Sequence, residues 1–297
     1  MKVTIIGLGL IGGSAAIDLR KSGLATHLTG VDINEANAAE AVKLGLVDAY
    51  ESDGDSLSKS DMVIMAIPVN TLSALLPQVL DVIPSQCVVI DMGSTKGAIC
   101  RSVAGHPNRG QFVACHPLAG TENSGPESAF SGLFRNKVNI ICEQDKSSPA
   151  SMRLAERVFE ALGMNSIFME PEEHDRHVAY VSHLSHVSSF LLGQTVLDIE
   201  KDEKNIFNLA SSGFASTVRL AKSSPDMWAP IFEQNAEYLG QALAEYIMHL
   251  QRFQYLLMKK NTKELHKMLT EANKIRPVLE GLSAQHAPDL WLHLCRI

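Results

Sequence analysis

A histidine that directly follows a strand predicted over Gln111–Cys115 is the first group in this chain that could carry out chemistry. His116 begins the polar stretch His116–Glu122, which contains proline and glycine and is unlike an apolar helix face. An imidazole in a loop after a strand can act as a general base near pH 7, and a structural histidine is the equal alternative. Cys115 stands beside it, but adjacent strand residues point to opposite faces of a sheet. We therefore predict that Cys115 belongs to the core and forms no Cys–His pair.

A serine and an arginine are two further candidates. Ser94 lies in the turn Asp91–Gly97, where the spacing G-S-x-x-G differs from the G-x-S-x-G of a hydrolase nucleophile. We therefore do not predict a serine hydrolase. Arg219 lies between Val218 and Leu220 in a segment with few charges. It is either a solvated side chain or a clamp that holds a carboxylate through two hydrogen bonds.

Four histidines lie on one predicted helix over residues 172–200 and could bind a metal ion or a polar ligand. His174 and His177 are three residues apart, as are His183 and His186, so each pair shares a face. A metal site needs a third ligand and usually a carboxylate, and we predict no metal because nothing marks these near the second pair. The first pair is expected to be solvated or hydrogen-bonded. The second pair lies among apolar residues and needs polar partners, for which a ligand is one candidate.

The start of the chain contains a pattern that would position such groups around a cofactor. The β-branched run Val3–Ile6 leads into G-x-G-x-x-G at Gly7, Gly9 and Gly12, and a helical pattern follows. These glycines permit the sharp bend, the approach of a pyrophosphate and the close packing of helix on strand. Asp32 ends the second predicted strand 20 residues after Gly12, where a carboxylate reaches the ribose of a dinucleotide. We predict NAD rather than NADP, since this carboxylate repels a 2′-phosphate and no arginine follows it.

The predicted cofactor site also includes the end of a buried strand, Met62–Ile67. Ile67 and Pro68 either pack on the adenosine half or only terminate that strand. The residues predicted to contact the cofactor are Gly7, Leu8, Gly9, Leu10, Ile11, Gly12, Asp32, Ile67 and Pro68.

Strands and helices alternate up to about residue 170, and only helices follow. The fold class is therefore α/β, with an N-terminal Rossmann-type doubly wound sheet and a C-terminal all-α dimerisation and substrate domain. We place the NAD-binding domain at 1–170 and the helical domain at 171–297. The shorter helices are predicted over 203–210, over 214–222 and from Pro225, and the longer ones over 229–259 and 262–283. An apolar stripe from Leu239 to Leu257 is core or a subunit contact, and we predict a homodimer.

Composition places the chain among ordinary globular proteins. Of its 297 residues, 45% are hydrophobic and 20% are charged. A net charge of −7 argues against nucleic acid as the main partner. No apolar run approaches the ~18 residues of a membrane span, so no membrane partner is predicted. Because the N-terminus lacks a signal-peptide pattern and five scattered cysteines fit reduced thiols, we predict a cytoplasmic protein.

These segments together resemble the prephenate/arogenate dehydrogenases of tyrosine biosynthesis. The resemblance covers about residues 1–250 and rests on six segments in the family's order: Gly7–Gly13, Asp91–Gly97, His116–Glu122, His183–His186, Gly213–Arg219 and Asp226–Trp228. Ser185 departs from the proline that the family often has. No segment for a regulatory domain or a fused mutase follows Ile297, so we do not expect feedback regulation by tyrosine through such a domain.

The resemblance implies an NAD-dependent oxidative decarboxylation, in which prephenate loses hydride from C4 and CO2 from the ring and becomes 4-hydroxyphenylpyruvate. It implies that His116 accepts the hydrogen bond or the proton of the C4 hydroxyl, and that Ser94 orients His116 and approaches the nicotinamide. Arg219 is implied to bind a carboxylate of this dianion, and His186 its pyruvyl group. The other residues implied to line the pocket are Thr121, Glu122 and His183. Glu122 beside a dianion either gates the site or holds Arg219 in place.

Three alternatives remain compatible with the sequence. Arogenate carries an amino group where prephenate has a keto group, and a histidine at position 186 that donates to a carbonyl favours prephenate. A β-hydroxyacid-type dehydrogenase would need a lysine that opens the helix between the domains, where the first lysine is Lys201. A protein that only senses NAD would not need His116, Ser94 and Arg219 together.

Overall fold

The computed structural model describes residues 1–52, 54–202 and 205–283. Within them, eight strands form one sheet. The strands are β1 (Lys2–Ile6), β2 (His27–Val31), β3 (Ala49–Glu51), β4 (Met62–Met65), β5 (Val88–Asp91), β6 (Phe112–Pro117), β7 (Val138–Cys142) and β8 (Asn165–Met169). Their order across the sheet is β3-β2-β1-β4-β5-β6-β7-β8.

Helices cover both faces of this sheet and then make up the rest of the described chain. They are α1 (Leu10–Lys21), α2 (Glu35–Lys43), α3 (Val69–Val82), α4 (Gly97–Ser102), α5 (Pro149–Ala161), α6 (Pro171–Val178), α7 (Leu184–Asp202), α8 (Ser212–Thr217), α9 (Pro225–Gln234), α10 (Ala236–Met258), α11 (Thr262–Ala272) and α12 (Arg276–Ser283). A π-helical turn, Ala179–His183, joins α6 to α7. Short 3₁₀ turns occur at Ile206–Leu209 and Arg219–Lys222.

The strand order places a crevice beside the start of the chain. Neighbouring strands are parallel except for β6 and β7, which are antiparallel. The chain moves outward from β1 through β2 to β3 and then returns to the other side of β1 with β4. At such a reversal, the loops that follow neighbouring strands diverge and leave room for a ligand at their carboxyl ends.

Alternating side chains of the strands bury two separate cores, one on each face. Val3 and Ile5 of β1 pack with α1, α2 and α5 on one face. Ile6 of β1 packs with α3, α4 and α9 on the other. Strands covered on both faces read as continuous apolar runs, as β4 and β5 do. The predicted fold class, a Rossmann-type doubly wound sheet followed by helices, is confirmed.

Some predicted boundaries differ from the structure. The strand predicted over Gln111–Cys115 continues to Pro117, so His116 lies in β6 rather than in the loop after it. The short, largely exposed strand β3 was not predicted, because its three residues lack a buried apolar pattern. The helix predicted over 229–259 is interrupted at Asn235, between α9 and α10. Residues 203 and 204 of the helix predicted over 203–210, and residues 284–297 with Cys295, lie outside the described residues.

By its packing the chain divides into two compact units, Met1–Leu239 and Gly240–Ile297. The alternating pattern ends at Met169 in β8, and the domain boundary at 170 stays a prediction. Every candidate site residue belongs to the first unit. Four cysteines of the described ranges are buried and free, and Cys115 is a core residue as predicted. None of the helices in these ranges combines the length and the apolar composition that crossing a bilayer would need.

Candidate active site

The glycine turn between β1 and α1 has the geometry that a bound pyrophosphate needs. Gly7 has φ of +95°, in the left-handed region that favours glycine. A Cβ on Gly12 would lie 2.0 Å from the carbonyl oxygen of Gly7, so α1 can start this close to β1 only with glycine there. The space beside Gly9 is open. Leu10 and Ile11 begin α1, whose unpaired N–H groups point toward that space. The turn therefore fits a dinucleotide phosphate.

Asp32 ties the end of β2 to this turn. Its carboxylate accepts hydrogen bonds from the backbone N–H of Leu8 at 2.8 Å and of Asn34 at 2.9 Å. The side chain of Leu8 is fully buried, so Leu8 can serve a cofactor only through its backbone. Ile33 is fully exposed beside Asp32, a position missed in the sequence that offers an apolar surface to a base. This arrangement fits an adenosine ribose.

The end of β4 borders the same turn. Ala66 and Ile67 lie so close to Gly7 that a Cβ there would be 2.4 Å from the Ala66 carbonyl oxygen. Ile67 is half-buried, and Pro68 is exposed at the start of α3. Both residues thus border the crevice, and their contact with a cofactor stays a prediction.

Replacing Asp32 with asparagine should weaken NAD binding roughly 10-fold, since one charged hydrogen-bond acceptor is lost. The same change should narrow the preference over NADP, because the repulsion of a 2′-phosphate is removed. Isothermal titration with each nucleotide measures both effects. Glu35→Gln, an exposed acid at the start of α2, is the matched control. An unchanged ratio of the two affinities would contradict this role of Asp32.

His116 lies at the carboxyl end of β6 and is 8% exposed. Its Nδ1 shares a 2.7 Å hydrogen bond with Nε2 of His174. Of the two expectations for His174, a solvated or a hydrogen-bonded side chain, the structure supports the second, since the ring is fully buried and bonded to His116. Burial, followed by the neighbouring His174, Lys96 and His183, holds the pKa of His116 well below its ordinary value of 6.5.

Asp175 holds His174 from the other side. Its carboxylate shares a 2.8 Å hydrogen bond with Nδ1 of His174. It also accepts hydrogen bonds from the backbone N–H of Lys96 at 2.7 Å and of Gly97 at 2.8 Å. Burial works to raise the pKa of Asp175, but these hydrogen bonds outweigh it and the pKa is lowered. Asp175 is therefore an ionised carboxylate, and sequence analysis missed it.

A buried ion pair lies under this group. Lys96 and Asp91 pair with both side chains fully buried. Lys96 Nζ also donates to the carbonyl oxygen of Cys115 at 2.5 Å, and Asp91 accepts from the backbone N–H of Cys115 at 2.8 Å. The pair thus fixes the backbone that precedes His116. Asp91, a charged residue at the end of the apolar strand β5, was the sequence signal that could have revealed this ion pair.

Ser94 lies in the turn that carries this lysine and is half-buried. It forms no hydrogen bond with any residue that the structure describes, whereas its neighbour Thr95 donates to Gln234 at 2.7 Å. The hydrogen-bond partner of His116 among the described residues is His174, and the orienting role expected of Ser94 stays a prediction. A role of Ser94 at the cofactor or the substrate stays a prediction.

His183 is connected to the same group through Asn235. The side-chain amide of Asn235 donates to the carbonyl oxygen of Asp175 at 2.7 Å and lies 3.0 Å from Nδ1 of His183. Burial lowers the pKa of His183 to about 4. With Nδ1 accepting from Asn235, Nε2 carries the proton, and this buried N–H has no partner among the described residues. A donor of this kind suits a polar ligand.

His186 stacks on Trp228, with ring centroids 3.5 Å apart. Its Nδ1 lies 3.0 Å from the carbonyl oxygen of Ser182. Because a carbonyl only accepts, Nδ1 carries the proton, and Nε2 of the neutral ring is an acceptor. Burial and the positive charge of Arg219 lower the pKa of His186 despite this hydrogen bond. His183 meets the same indole edge-on, at 5.9 Å between centroids.

Arg219 lies in a 3₁₀ turn after α8, where its side chain is half-exposed. Its guanidinium donates to Glu122 at 2.7 Å, so Glu122 holds Arg219, as one of the two sequence-based hypotheses proposed. Thr121 accepts from the backbone N–H of Asn123 at 3.2 Å and shapes this loop. The positive charge of Arg219 contributes to the lowered pKa of His186. Within the described ranges, no three metal-binding side chains cluster.

The chain is similar to known proteins both in sequence and in structure. The family model "Prephenate dehydrogenase, nucleotide-binding domain" matches residues 15–168, and "Prephenate dehydrogenase, dimerization domain" matches residues 170–271. The prephenate dehydrogenase of Bacillus subtilis is 29% identical over 281 residues, which cover 93% of this chain and 76% of that protein.

Two solved structures are similar over most of the chain. Prephenate dehydrogenase from Aquifex aeolicus, in complex with hydroxyphenyl propionate and NAD+, has a TM-score of 0.86 and 31% identity. That match covers 94% of this chain and 98% of the other. Arogenate dehydrogenase from Synechocystis has a TM-score of 0.73 and 29% identity, and covers 94% and 100% of the two chains.

Proposed function

This chain belongs to the prephenate dehydrogenase family, and we propose that it catalyses the NAD-dependent oxidative decarboxylation of prephenate to 4-hydroxyphenylpyruvate. The observation that carries the proposal is His116 at the carboxyl end of β6, hydrogen-bonded on Nδ1 alone and kept neutral by burial. An imidazole of this kind retains Nε2 as a base. Family membership also sets aside a β-hydroxyacid-type dehydrogenase and a protein that only senses NAD.

The glycine turn and the N–H groups of α1 would hold the pyrophosphate of NAD, and Asp32 its ribose. Bound NAD supplies the acceptor for the hydride that leaves C4 of the substrate. His116 takes the proton of the C4 hydroxyl as that oxygen becomes a carbonyl. When the bond to the ring carboxylate breaks, its electron pair enters the forming aromatic ring. His116 then returns its proton to the phenolate oxygen, so the protein ends in its starting protonation state.

The substrate is a dianion, and a chain with net charge −7 must gather donors locally to bind it. Arg219 offers the permanent positive charge, and one N–H of its guanidinium is used by Glu122 while other donors remain. His183 adds the buried Nε2–H, and Thr121 shapes the loop that carries Glu122. We propose that a substrate carboxylate binds Arg219 and that Glu122 orients the guanidinium for it.

Replacing Arg219 with alanine should raise KM for the substrate roughly 10- to 100-fold. This is at the lower end of the loss of binding energy expected for a removed charge pair, because the side chain of Arg219 is half-exposed. The value of kcat should change much less. Steady-state kinetics at saturating NAD measures both constants. Lys222→Ala, which removes an exposed charge from the same turn, is the matched control. An unchanged KM in the Arg219 variant would show that the carboxylate binds elsewhere.

A specific observation favours a second candidate, arogenate dehydrogenase. The sequence-based argument for prephenate assumed that His186 donates to the keto group. In its neutral form, His186 presents an acceptor at Nε2, because Nδ1 donates to Ser182. An acceptor suits the ammonium group of arogenate, so this residue does not favour prephenate as the sequence suggested.

The decisive experiment measures NADH formation at 340 nm with prephenate and with arogenate, each with NAD and with NADP. The proposal predicts turnover of prephenate with NAD and release of 4-hydroxyphenylpyruvate. Faster turnover of arogenate, with tyrosine as the product, would establish the second candidate. Absence of turnover with both substrates and both nucleotides would overturn the proposed function.

We further propose that the chain forms a homodimer through α10. Tyr246, Leu250, Phe253 and Leu257 recur at helical spacing and are each 36–55% exposed. Sedimentation should therefore give twice the 32.3 kDa of one chain. Leu250→Glu combined with Leu257→Glu should yield monomers, whereas Gln251→Glu, on another face of α10, should not. A monomeric wild-type protein would contradict this proposal.

A further inference from the structure

We propose that His174 and Asp175 are positioning residues for His116: together they hold its ring in the tautomer that leaves Nε2 unprotonated toward the substrate. The effect of this arrangement on turnover rests on the proposed function. The tautomer itself does not, because hydrogen bonds of the protein alone determine it.

The argument begins at Asp175, whose position is fixed by the backbone. Oδ1 accepts from the N–H of Lys96 and Oδ2 from the N–H of Gly97, at the start of α4. A carboxylate that receives two backbone donors is held in its ionised form and can only accept. Its third short contact, 2.8 Å to Nδ1 of His174, must therefore use a proton carried by that nitrogen.

The direction of the next hydrogen bond follows from this one. A neutral imidazole carries a single N–H, and burial keeps the pKa of His174 lowered despite the adjacent carboxylate. With its proton on Nδ1, His174 has a lone pair on Nε2. The 2.7 Å contact to His116 then requires a proton on Nδ1 of His116. The lone pair of His116 is consequently on Nε2, the nitrogen that no described residue occupies.

The arrangement also prepares the site for the charge that the reaction creates. When His116 takes up a proton, its Nδ1–H becomes a stronger donor, and His174 with the carboxylate of Asp175 behind it can accept that bond. The other charged or titratable groups that act on His116 are Lys96, paired with Asp91, and His183. The charge of Asp91 is balanced by Lys96. Asp175 is therefore the carboxylate that can stabilise a positive charge on His116.

Two substitutions at one position separate positioning from packing. His174→Phe keeps an aromatic ring but removes the acceptor for Nδ1–H of His116. His174→Gln can place a side-chain carbonyl oxygen near the position of Nε2 and restore an acceptor. His177→Gln, on the same helix and only half-buried, is the matched control.

The direct measurement is ¹⁵N NMR of imidazole-labelled protein with NAD bound, at pH 7.5 and without substrate. The wild-type protein and the glutamine variant should show His116 protonated on Nδ1 alone. The phenylalanine variant should show a mixture of both tautomers. Protonation of wild-type His116 on Nε2, or an unchanged single tautomer in His174→Phe, would overturn the proposal.

Kinetics supplies the second test. His174→Phe should lower kcat roughly 10- to 100-fold, a part of what a general base contributes, with KM nearly unchanged. The acid limb of its kcat profile should move to lower pH, because protonated His116 has lost its acceptor. His174→Gln should recover most of kcat. A role in folding alone would lower the amount of active enzyme without moving the pH profile, and that result would overturn the proposal.

If the wild-type protein oxidises neither substrate, the proposed function is wrong. The tautomer of His116 is still tested independently by NMR.

Discussion

Replacing His116 with alanine should lower kcat by about 10²- to 10⁴-fold and leave the affinity for NAD nearly unchanged. The imidazole is the group we assign to the hydroxyl proton, and it lies outside the glycine turn that we propose for the nucleotide. Burst and steady-state kinetics give kcat, and titration of NAD gives the affinity. His266→Ala, an exposed histidine of α11, should have full activity. Activity of the His116 variant within a few-fold of the wild type would remove the residue from this role.

The same assignment predicts how activity depends on pH. His116 acts in its neutral form, and its pKa lies well below the ordinary 6.5 because the ring is buried. The neutral form therefore persists as the pH falls through 6.5, and kcat should decline only at lower pH. A solvated histidine would instead lose half of its activity near 6.5. The pH profile of kcat at saturating substrate distinguishes the two cases.

Replacing Lys96 with methionine should lower the free energy of unfolding by about 3–5 kcal/mol, because the substitution leaves the carboxylate of Asp91 buried without its partner. Burial opposes the charged form, but Asp91 outweighs it and raises the pKa of Lys96 above 10.5. The ion pair is therefore complete at neutral pH, and its contribution is lost only as the pH rises past that raised pKa. Urea denaturation followed by circular dichroism measures the change.

Two further variants show whether the buried charge is the cause. Lys43→Met removes an exposed lysine that pairs with Glu40 on α2, and the denaturation midpoint should not move. Adding Asp91→Asn to Lys96→Met removes the unpaired charge and keeps one carbonyl oxygen that can accept from the backbone N–H of Cys115. The double variant should be more stable than Lys96→Met alone. Equal stability of the two would indicate that lost packing, and not an isolated carboxylate, causes the change.

The dinucleotide half could be predicted from the sequence because its signals are local. Gly7 and Gly12 are required by contacts within a few residues of each other, and Asp32 ends a strand with its own apolar pattern. The position of His116 was less well predicted, since the strand was expected to end at Cys115. The last residues of β6 pair with β7, which runs antiparallel and is 20 or more residues away in the chain.

The partners of His116 could not be predicted from local patterns. His174 is 58 residues away, and its contact depends on how α6 packs beside the end of β6. Helical spacing places His174 and His177 on one face and gives no reason to distinguish them. In the structure, His174 is fully buried and His177 only partly. Lys96 was missed for a similar reason, because the sequence of a turn does not reveal that a lysine in it is fully enclosed.

The winding of the helix between α6 and α7 decides which histidines can act together. His183 follows His174 by nine residues, which in a regular α-helix would place it about 180° away around the axis. The π-helical turn Ala179–His183 takes up one additional residue, which is about 100° of rotation. His183 is thereby turned toward Asn235 and the carbonyl of Asp175. Shortening this turn by one residue would rewind it and swing both His183 and His186 out of register with Trp228. A single deletion there would thus dismantle the proposed substrate side of the site while leaving every one of its side chains in the sequence.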